Sequence, residues 1–265
     1  FCLHLYCVNP AVNLQECLDK GRSAVFFSAT LLPVQYYKNL LSSRTDNYAV
    51  YAESVFEKRQ RLLFAAGDVS SLYTRRNLTE FQRIAAYIRA VAEARKGNYI
   101  VFFPSYRFME DVYEQFMAVR PEKMDCIIQS SSMREDEREA FMEEFSGKRE
   151  SSMVAFCVLG GIFSEGIDLK HEQLIGVLIV GTGLPQICNE REVLKSFYDG
   201  GEQKEGFAYA YQYPGKNKVL QAAGRVIRTA TDCGVIGLLD ERFLRRDYRG
   251  LFPREWDDCR VCSLK

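Results

Sequence analysis

The sequence predicts an α/β fold, a mostly parallel β-sheet sandwiched by helices. Three observations carry that reading. Short continuous runs of apolar, β-branched and aromatic residues, such as Tyr99-Ile-Val-Phe-Phe103 and Leu174-Ile-Gly-Val-Leu-Ile-Val180, have the pattern of strands covered on both faces. Segments whose apolar residues recur at helical spacing alternate with them. Glycines and isolated charges gather just after the strand-like runs, where sheets of this class place their ligand-binding loops.

Taken in order, Ala24-Val-Phe-Phe27 is the first strand candidate, and a helix follows Pro33 through Tyr37 and Leu41. Residues 42–60 carry Ser, Asp, Asn and charges and read as a connection. Leu78, Phe81, Ile84, Ala85, Ile88 and Val91 define one long amphipathic helix. Gly97-Asn98 punctuates before the strand at 99–103, and Phe108, Met109, Val112, Tyr113 and Phe116 return to helical period. Cys126-Ile-Ile-Gln129 is a strand, and Arg134 to Phe145 a charged helix with Phe141 and Phe145 on one side. Met153–Leu159 and Leu174–Val180 are two more buried strands, and residues 186–216 form a Gly- and Tyr-containing stretch left without assigned structure. A helix through Gln221-Ala-Ala-Gly-Arg-Val-Ile-Arg228 then precedes a last strand, Gly234–Leu239. At about 100° per residue, that helix sets Gln221, Arg225 and Arg228 on one face. Two guanidinium forks beside an amide make a surface suited to phosphate oxygens.

The 265 residues set a soft expectation of one large domain, or one domain with part of another. Lys plus Arg equals Asp plus Glu, 35 each, which argues against a partner held by a global basic field and leaves nucleic-acid contact to local patches. No apolar run approaches a membrane span, so no membrane partner is expected. The opening Phe1-Cys2-Leu3-His4 has neither initiator Met nor basic leader and reads as an internal piece of a longer protein. Cys126, Cys157 and Cys233 sit inside apolar runs and read as small buried hydrophobes, consistent with a reducing, cytoplasmic setting such as a bacterial cytosol. Cys259-Arg-Val-Cys262 lacks a second ligand pair, since His4 and His171 are far away in sequence, and no metal site is expected.

The segments after the strands are Ser28-Ala29-Thr30, Pro104-Ser105-Tyr106-Arg107, Gly160 to Asp168, Gly181-Thr-Gly-Leu-Pro185 and Asp240-Glu-Arg-Phe243. Each alone has a plainer reading. Ser28 and Thr30 would be helix N-caps, Gly160, Gly161 and Gly166 turn glycines, and Asp168 a turn cap. Asp240 and Arg242 would be a surface ion pair of little worth, and the two arginines a solvated helix face. Their joint order is what points elsewhere.

In that order they resemble the second motor domain of superfamily 2 helicases, in the XPD/DinG-like branch. Ser28-Ala-Thr-Leu31 is similar to that family's motif III, Phe102-Phe-Pro-Ser-Tyr106 to motif IV, Gly161-Ile-Phe-Ser-Glu-Gly-Ile-Asp168 to motif V and Gln221–Arg228 to motif VI. The likeness runs from about Cys2 to Phe243. It implies a RecA-like, P-loop NTPase-type helicase domain that lacks the P-loop, residues 1–48 ending a first motor domain and 49–265 forming the second. It implies an ATP-dependent DNA helicase that couples hydrolysis to single-stranded DNA translocation and duplex unwinding. Arg225 and Arg228 would then be arginine fingers and Gln221 would orient water or the fingers. Glu165, Gly166 and Asp168 would touch nucleotide or link it to DNA, Ser28, Ala29 and Thr30 would couple hydrolysis to closure, and Ser105, Tyr106 and Arg107 would line the strand path. ATP with Mg2+ would be bound mostly by the first motor domain of the same polypeptide, and an iron–sulfur cluster, where one exists, would lie outside this chain. No G-x-x-x-x-G-K-[ST] loop is present, so this chain alone is expected to be inactive. Two alternatives stand beside this reading: a non-catalytic RecA-like module that binds nucleic acid, and an RNA-directed superfamily 2 helicase.

Overall fold

The computed structural model describes all residues except 1, 2, 4, 148, 166–168, 170–172, 202, 203 and 265. In chain order the elements are α1 (Ala11–Leu18), α2 (Val34–Leu41), β1 (Arg61–Ala66), α3 (Leu78–Ala94), β2 (Asn98–Phe103), α4 (Tyr106–Val119), β3 (Asp125–Ile128), α5 (Glu135–Glu143), β4 (Met153–Val158), α6 (Ile162–Glu165), β5 (Gly176–Val180), α7 (Asn189–Asp199), α8 (Tyr213–Ala223), β6 (Gly234–Leu239), α9 (Arg246–Arg249) and β7 (Arg260–Cys262). None of the described helices is long and apolar enough to cross a membrane.

The chain separates into two compact units, Phe1–Glu53 with Leu184–Asn217, and Ser54–Gly183 with Lys218–Lys265. The larger unit is built on a seven-stranded sheet in the order β3-β4-β2-β5-β6-β1-β7. Every strand pair in it is parallel. The central strands β2 and β5 are buried along their whole length, as their unbroken apolar runs require. Phe156 on β4 anchors the aromatic core, its ring 5.7 Å from Phe103, 5.0 Å from Tyr113 and 5.3 Å from Phe116. Helix α3 starts where the Asn77 side chain accepts the Glu80 N–H at 3.0 Å, and it buries Ile84, Ala85, Ile88 and Ala92. It meets α4 through Phe81 and Phe108, whose rings stand edge to face 5.3 Å apart.

Strand β1 is one that the sequence reading leaves unassigned. Its buried residues Leu63–Ala66 include two alanines, which signal strand weakly. What places it is its neighbour: Phe64 lies opposite Gly237 of β6, where a Cβ would stand 2.7 Å from the Phe64 ring and 2.4 Å from Leu178. The glycine leaves room for both side chains.

The smaller unit holds α1, α2, α7 and the amino-terminal part of α8. The stretch 186–216 is largely helical, with α7 followed by a π-helical turn over Ala208–Gln212. The Arg191 guanidinium donates to the Ala210 carbonyl at 2.6 Å inside that turn. Tyr36 packs within 5.1 Å of Tyr37, Tyr209 and Tyr213, and Tyr198 stacks on Tyr209 at 3.9 Å. Burial, followed by the neighbouring phenols of Tyr37 and Tyr198, pushes the Tyr36 hydroxyl up to about 12. Asn39 donates to the Tyr209 hydroxyl at 2.8 Å and Asn217 to the Tyr37 hydroxyl, while the Tyr198 hydroxyl is buried without a hydrogen-bond partner among the described residues.

Two sequence expectations fail here. Ala24–Phe27 is not a strand: it pairs with no described strand, and Val25 and Phe27 are 83 % and 90 % exposed. A strand is a paired object, and the described residues offer the segment no neighbouring strand. Cys233 is exposed, because it lies just before the start of β6, whereas Cys157 on β4 is buried and burial raises its thiol pKa.

Asp240 and Arg242 are not a surface pair either. Asp240 closes β6 in a fully buried position. Its carboxylate accepts the Ser71 N–H at 2.8 Å and hydroxyl at 2.9 Å, and the Arg242 N–H at 3.0 Å. The Arg242 guanidinium adds two bonds at 2.9 and 2.8 Å and donates to the Ser71 hydroxyl at 2.7 Å. Next to it, Arg75 bridges Glu80 and Glu241 at 3.0 Å each. Burial pushes the Asp240 carboxyl up, but the bonds and charge of Arg242, with the Ser71 N–H, outweigh it and hold the group below the ordinary carboxylate range.

A carboxyl depressed in the folded state stabilises the fold above its unfolded value of about 3.9 and loses that contribution as pH falls through the folded value. Asp240→Asn is therefore expected to flatten the acid limb of the stability curve. It should also cost about 3–5 kcal/mol near neutrality by leaving Arg242 buried without its counter-charge. Denaturant unfolding at about pH 7 and about pH 3 reads both effects. Gly237→Ala is expected to destabilise by about 1–3 kcal/mol through overpacking, measured in the same way.

Candidate functional site

A parallel sheet delivers the carboxyl ends of its strands to one edge, and in the larger unit the candidate loops after β2, β4 and β5 lie there, whereas Arg228 is held beside the starts of β1 and β6. After β2, Ser105 is the N-cap of α4, its hydroxyl accepting the Phe108 N–H at 3.3 Å. Tyr106 is half-buried and its hydroxyl accepts from the Gln129 amide at 3.0 Å. Burial, with a smaller contribution from Cys157, raises the Tyr106 phenol pKa. Arg107, next along the helix, is exposed.

After β4 the chain turns at Gly160, whose φ of +78° is left-handed and whose missing Cβ would meet the Lys218 side chain at 2.9 Å. The Gly161 carbonyl then accepts both the N–H and the hydroxyl of Ser164, at 2.9 and 2.8 Å, which opens the short helix α6. Glu165 is its last residue, and Gly166 and Asp168 lie outside the described residues. After β5, Gly181 and Gly183 both take positive φ, and Thr182 between them is buried.

The Gln221–Arg228 helix needs correction. Helix α8 ends at Ala223, so Gln221 lies in its last turn while Arg225 and Arg228 lie beyond it, and no shared helical face exists. The final bonds tighten, from Gly224 N–H to Leu220 to Arg225 N–H to Ala222. Past them a competing acceptor takes over. The buried Asp232 carboxylate accepts the N–H groups of Arg228 and Thr229 at 2.8 Å each and the Thr229 hydroxyl at 2.6 Å. These are local side-chain bonds of the kind that displace helix. Gln60, just before β1, clamps the same turn by donating to the carbonyls of Ala230 and Asp232 at 3.1 and 3.0 Å.

Freed from the helix, Arg225 reaches a different partner: its Nε donates to the Ser164 carbonyl at 3.2 Å. The structure thus joins Arg225 to the loop after β4. Ser28, Ala29 and Thr30 belong to the smaller unit and do not cap α2, whose N-cap is Pro33 with no side-chain bond. Instead the Ser28 hydroxyl accepts the Thr30 N–H at 3.2 Å in a local turn. Gln129 and Asp232 are the organising residues the sequence reading misses. The signal for Asp232 was a Thr-x-x-Asp spacing at Thr229, and for Gln129 a lone amide closing an apolar strand.

Among the described residues no group of three or more His, Cys, Asp or Glu is placed to hold a metal ion. Cys259 and Cys262 flank and end the edge strand β7, and Cys262 packs on the core.

Residues 88–259 match the family model described as helicase C-terminal domain. Among curated relatives, regulator of telomere elongation helicase 1 of Mus spretus is 26% identical over 277 residues, covering 95% of this chain and 23% of that protein. The ATP-dependent DNA helicase XPD of Sulfolobus acidocaldarius is 25% identical over 244 residues, covering 89% of this chain and 42% of that protein. This chain therefore spans less than half the length of either relative. A solved XPD helicase structure superposes with a TM-score of 0.71 at 23% identity over 95% of this chain and 44% of that one, which shows the shared RecA-like fold. The chain belongs to the helicase C-terminal domain family, as the C-terminal motor domain of an XPD-like superfamily 2 helicase.

Proposed function

We propose that the full-length protein is an ATP-dependent DNA helicase translocating on single strands, and that this chain contributes its arginine fingers and part of its strand track. The observation that carries the reading is the bond from Arg225 to the Ser164 carbonyl, which ties a guanidinium to the loop edge where open α/β sheets bind ligands. Guanidinium groups suit the purpose: always charged, planar, and able to grip phosphate oxygens as charge develops on a transferring phosphoryl group. Two relatives carry helicase names, one of them an ATP-dependent DNA helicase, which supports the substrate class.

In this reading Arg225 and Arg228 donate to the terminal phosphate and Gln221, half-buried in the last turn of α8, orients them or the attacking water. Glu165, Gly166 and Asp168, next in sequence after the Ser164 that Arg225 bonds, would touch nucleotide or link it to DNA. Ser105, Tyr106 and Arg107 present a capped helix start, a phenol and an exposed guanidinium to the strand, the usual tools of backbone contact and base stacking. ATP, when bound, supplies the transferable phosphoryl group. No step is assigned to Mg2+ or to an iron–sulfur cluster, because the described residues form no set that fits a metal. Residues 1–48 read as the end of the first motor domain. The exposed, unpaired apolar run Val25–Phe27 supports that, since a sheet outside this chain would cover it. Ser28–Thr30, directly after it, then couple hydrolysis to closure of the two motor domains.

In the full-length protein, Arg225→Ala and Arg228→Ala are each expected to leave nucleotide binding within a few-fold of wild type while lowering ATPase turnover by about 10³–10⁵. Wild-type turnover in either variant refutes the finger assignment, and stimulation by RNA but not DNA strands refutes the substrate. This chain alone should hydrolyse ATP at the background rate. DNA-stimulated turnover by the isolated chain that Arg225→Ala abolishes would contradict that.

A further inference from the structure

Strand β3 ends opposite Phe156, two residues before β4 finishes pairing with β2 at Val158. The last regular bond is Gln129 N–H to the Phe156 carbonyl, at 2.9 Å. Two residues on, the Val158 N–H finds no strand backbone to receive it and donates instead to the Gln129 side-chain oxygen at 2.9 Å. Gln129 is buried, and its amide nitrogen donates to the Tyr106 hydroxyl oxygen at 3.0 Å. The turn after Val158 fits against the same amide, since a Cβ on Gly161 would stand 3.4 Å from its nitrogen. Gly161 in turn holds Ser164, and Ser164 receives Arg225.

The direction of this chain of bonds is fixed by chemistry. A backbone N–H can only donate, so the amide oxygen must face Val158 and the amide nitrogen must face Tyr106. Tyr106 therefore accepts from Gln129, which leaves its own O–H to donate elsewhere. A side-chain amide accepts at one end and donates at the other without any change of protonation. In a buried setting each such bond is costly to lose.

We infer that Gln129 is a positioning residue. It holds Tyr106 with its hydroxyl hydrogen directed to a phosphate oxygen of the bound strand, and it ties that contact to the loop gripped by Arg225. This rests on the proposed function for the strand itself, but the geometry assigning Gln129 does not. Glutamate and leucine separate the two duties. An ionised Gln129→Glu side chain accepts at both ends, so it keeps the Val158 bond but consumes the Tyr106 O–H. Gln129→Leu loses both bonds.

The test uses the full-length protein, a fluorescent single-stranded oligonucleotide to measure affinity, and amide hydrogen exchange of the peptide covering 157–164. Tyr106→Phe, Gln129→Glu and Gln129→Leu are each expected to weaken strand binding about tenfold, as loss of one bond to a charged oxygen would. The Tyr106→Phe/Gln129→Glu double variant should bind no more weakly than Tyr106→Phe alone, because both remove the same donor. Exchange at 157–164 should quicken in Gln129→Leu and stay slow in Gln129→Glu and Tyr106→Phe, a split that general loss of structure would not produce. Wild-type affinity in Gln129→Glu, multiplying losses in the double variant, or slow exchange in Gln129→Leu overturns the inference while leaving the helicase reading intact. A wild-type protein that binds no strand overturns the helicase reading and the strand contact of Tyr106 with it.

Discussion

The larger unit rests on one constraint: all seven strands run the same way, so every strand ends at the same edge. Backbone groups there have no further ladder to join, and each must find another partner. The edge is consequently where side chains substitute for strands. Asp240 receives the Ser71 and Arg242 N–H groups, and Gln129 receives the Val158 N–H. Ser105 receives the Phe108 N–H that opens α4. The groups that finish the sheet also fix the loops that carry the candidate chemistry, so stability and function meet in the same bonds.

The buried Asp240–Arg242–Ser71 cluster shows how such an edge is kept rigid. An isolated charge there would be expelled by desolvation. With five hydrogen bonds from Ser71 and Arg242, the carboxylate stays ionised and joins the loop after β1 to the end of β6. Glu80, on the first turn of α3, extends the same polar layer through Arg75 to Glu241. Specific, fully partnered polar groups of this kind define one arrangement of the loops more sharply than apolar packing could.

The smaller unit is organised differently. Its helices meet through stacked and edge-on tyrosines, and the hydroxyls of Tyr209, Tyr211 and Tyr37 bond to Asn39, Glu192 and Asn217. Leu5, Val25, Phe27 and Val50 of this unit are largely exposed. The helicase reading accounts for this exposure by assigning residues 1–48 to a domain whose greater part lies outside this chain.

Periodicity and unbroken apolar runs were enough for α3, α4, β2, β4, β5 and β6, because those residues face the core in any parallel sheet. Motif wording along the chain was enough for the family. Three features needed the tertiary structure. Strand β1, with two alanines among its six residues, is defined by its place between β6 and β7 and by the room Gly237 leaves for Phe64. The segment Ala24–Phe27 has strand composition but no pairing partner, and composition cannot supply one. Arg225 and Arg228 are at helical spacing, yet Asp232 captures the N–H groups of Arg228 and Thr229, ends the helix and turns Arg225 toward Ser164. Local spacing states what a segment can form. Which form it takes was decided by competing acceptors, near in the chain at Asp232 and distant in it for β1, because a buried backbone group is paired wherever the fold offers the better partner.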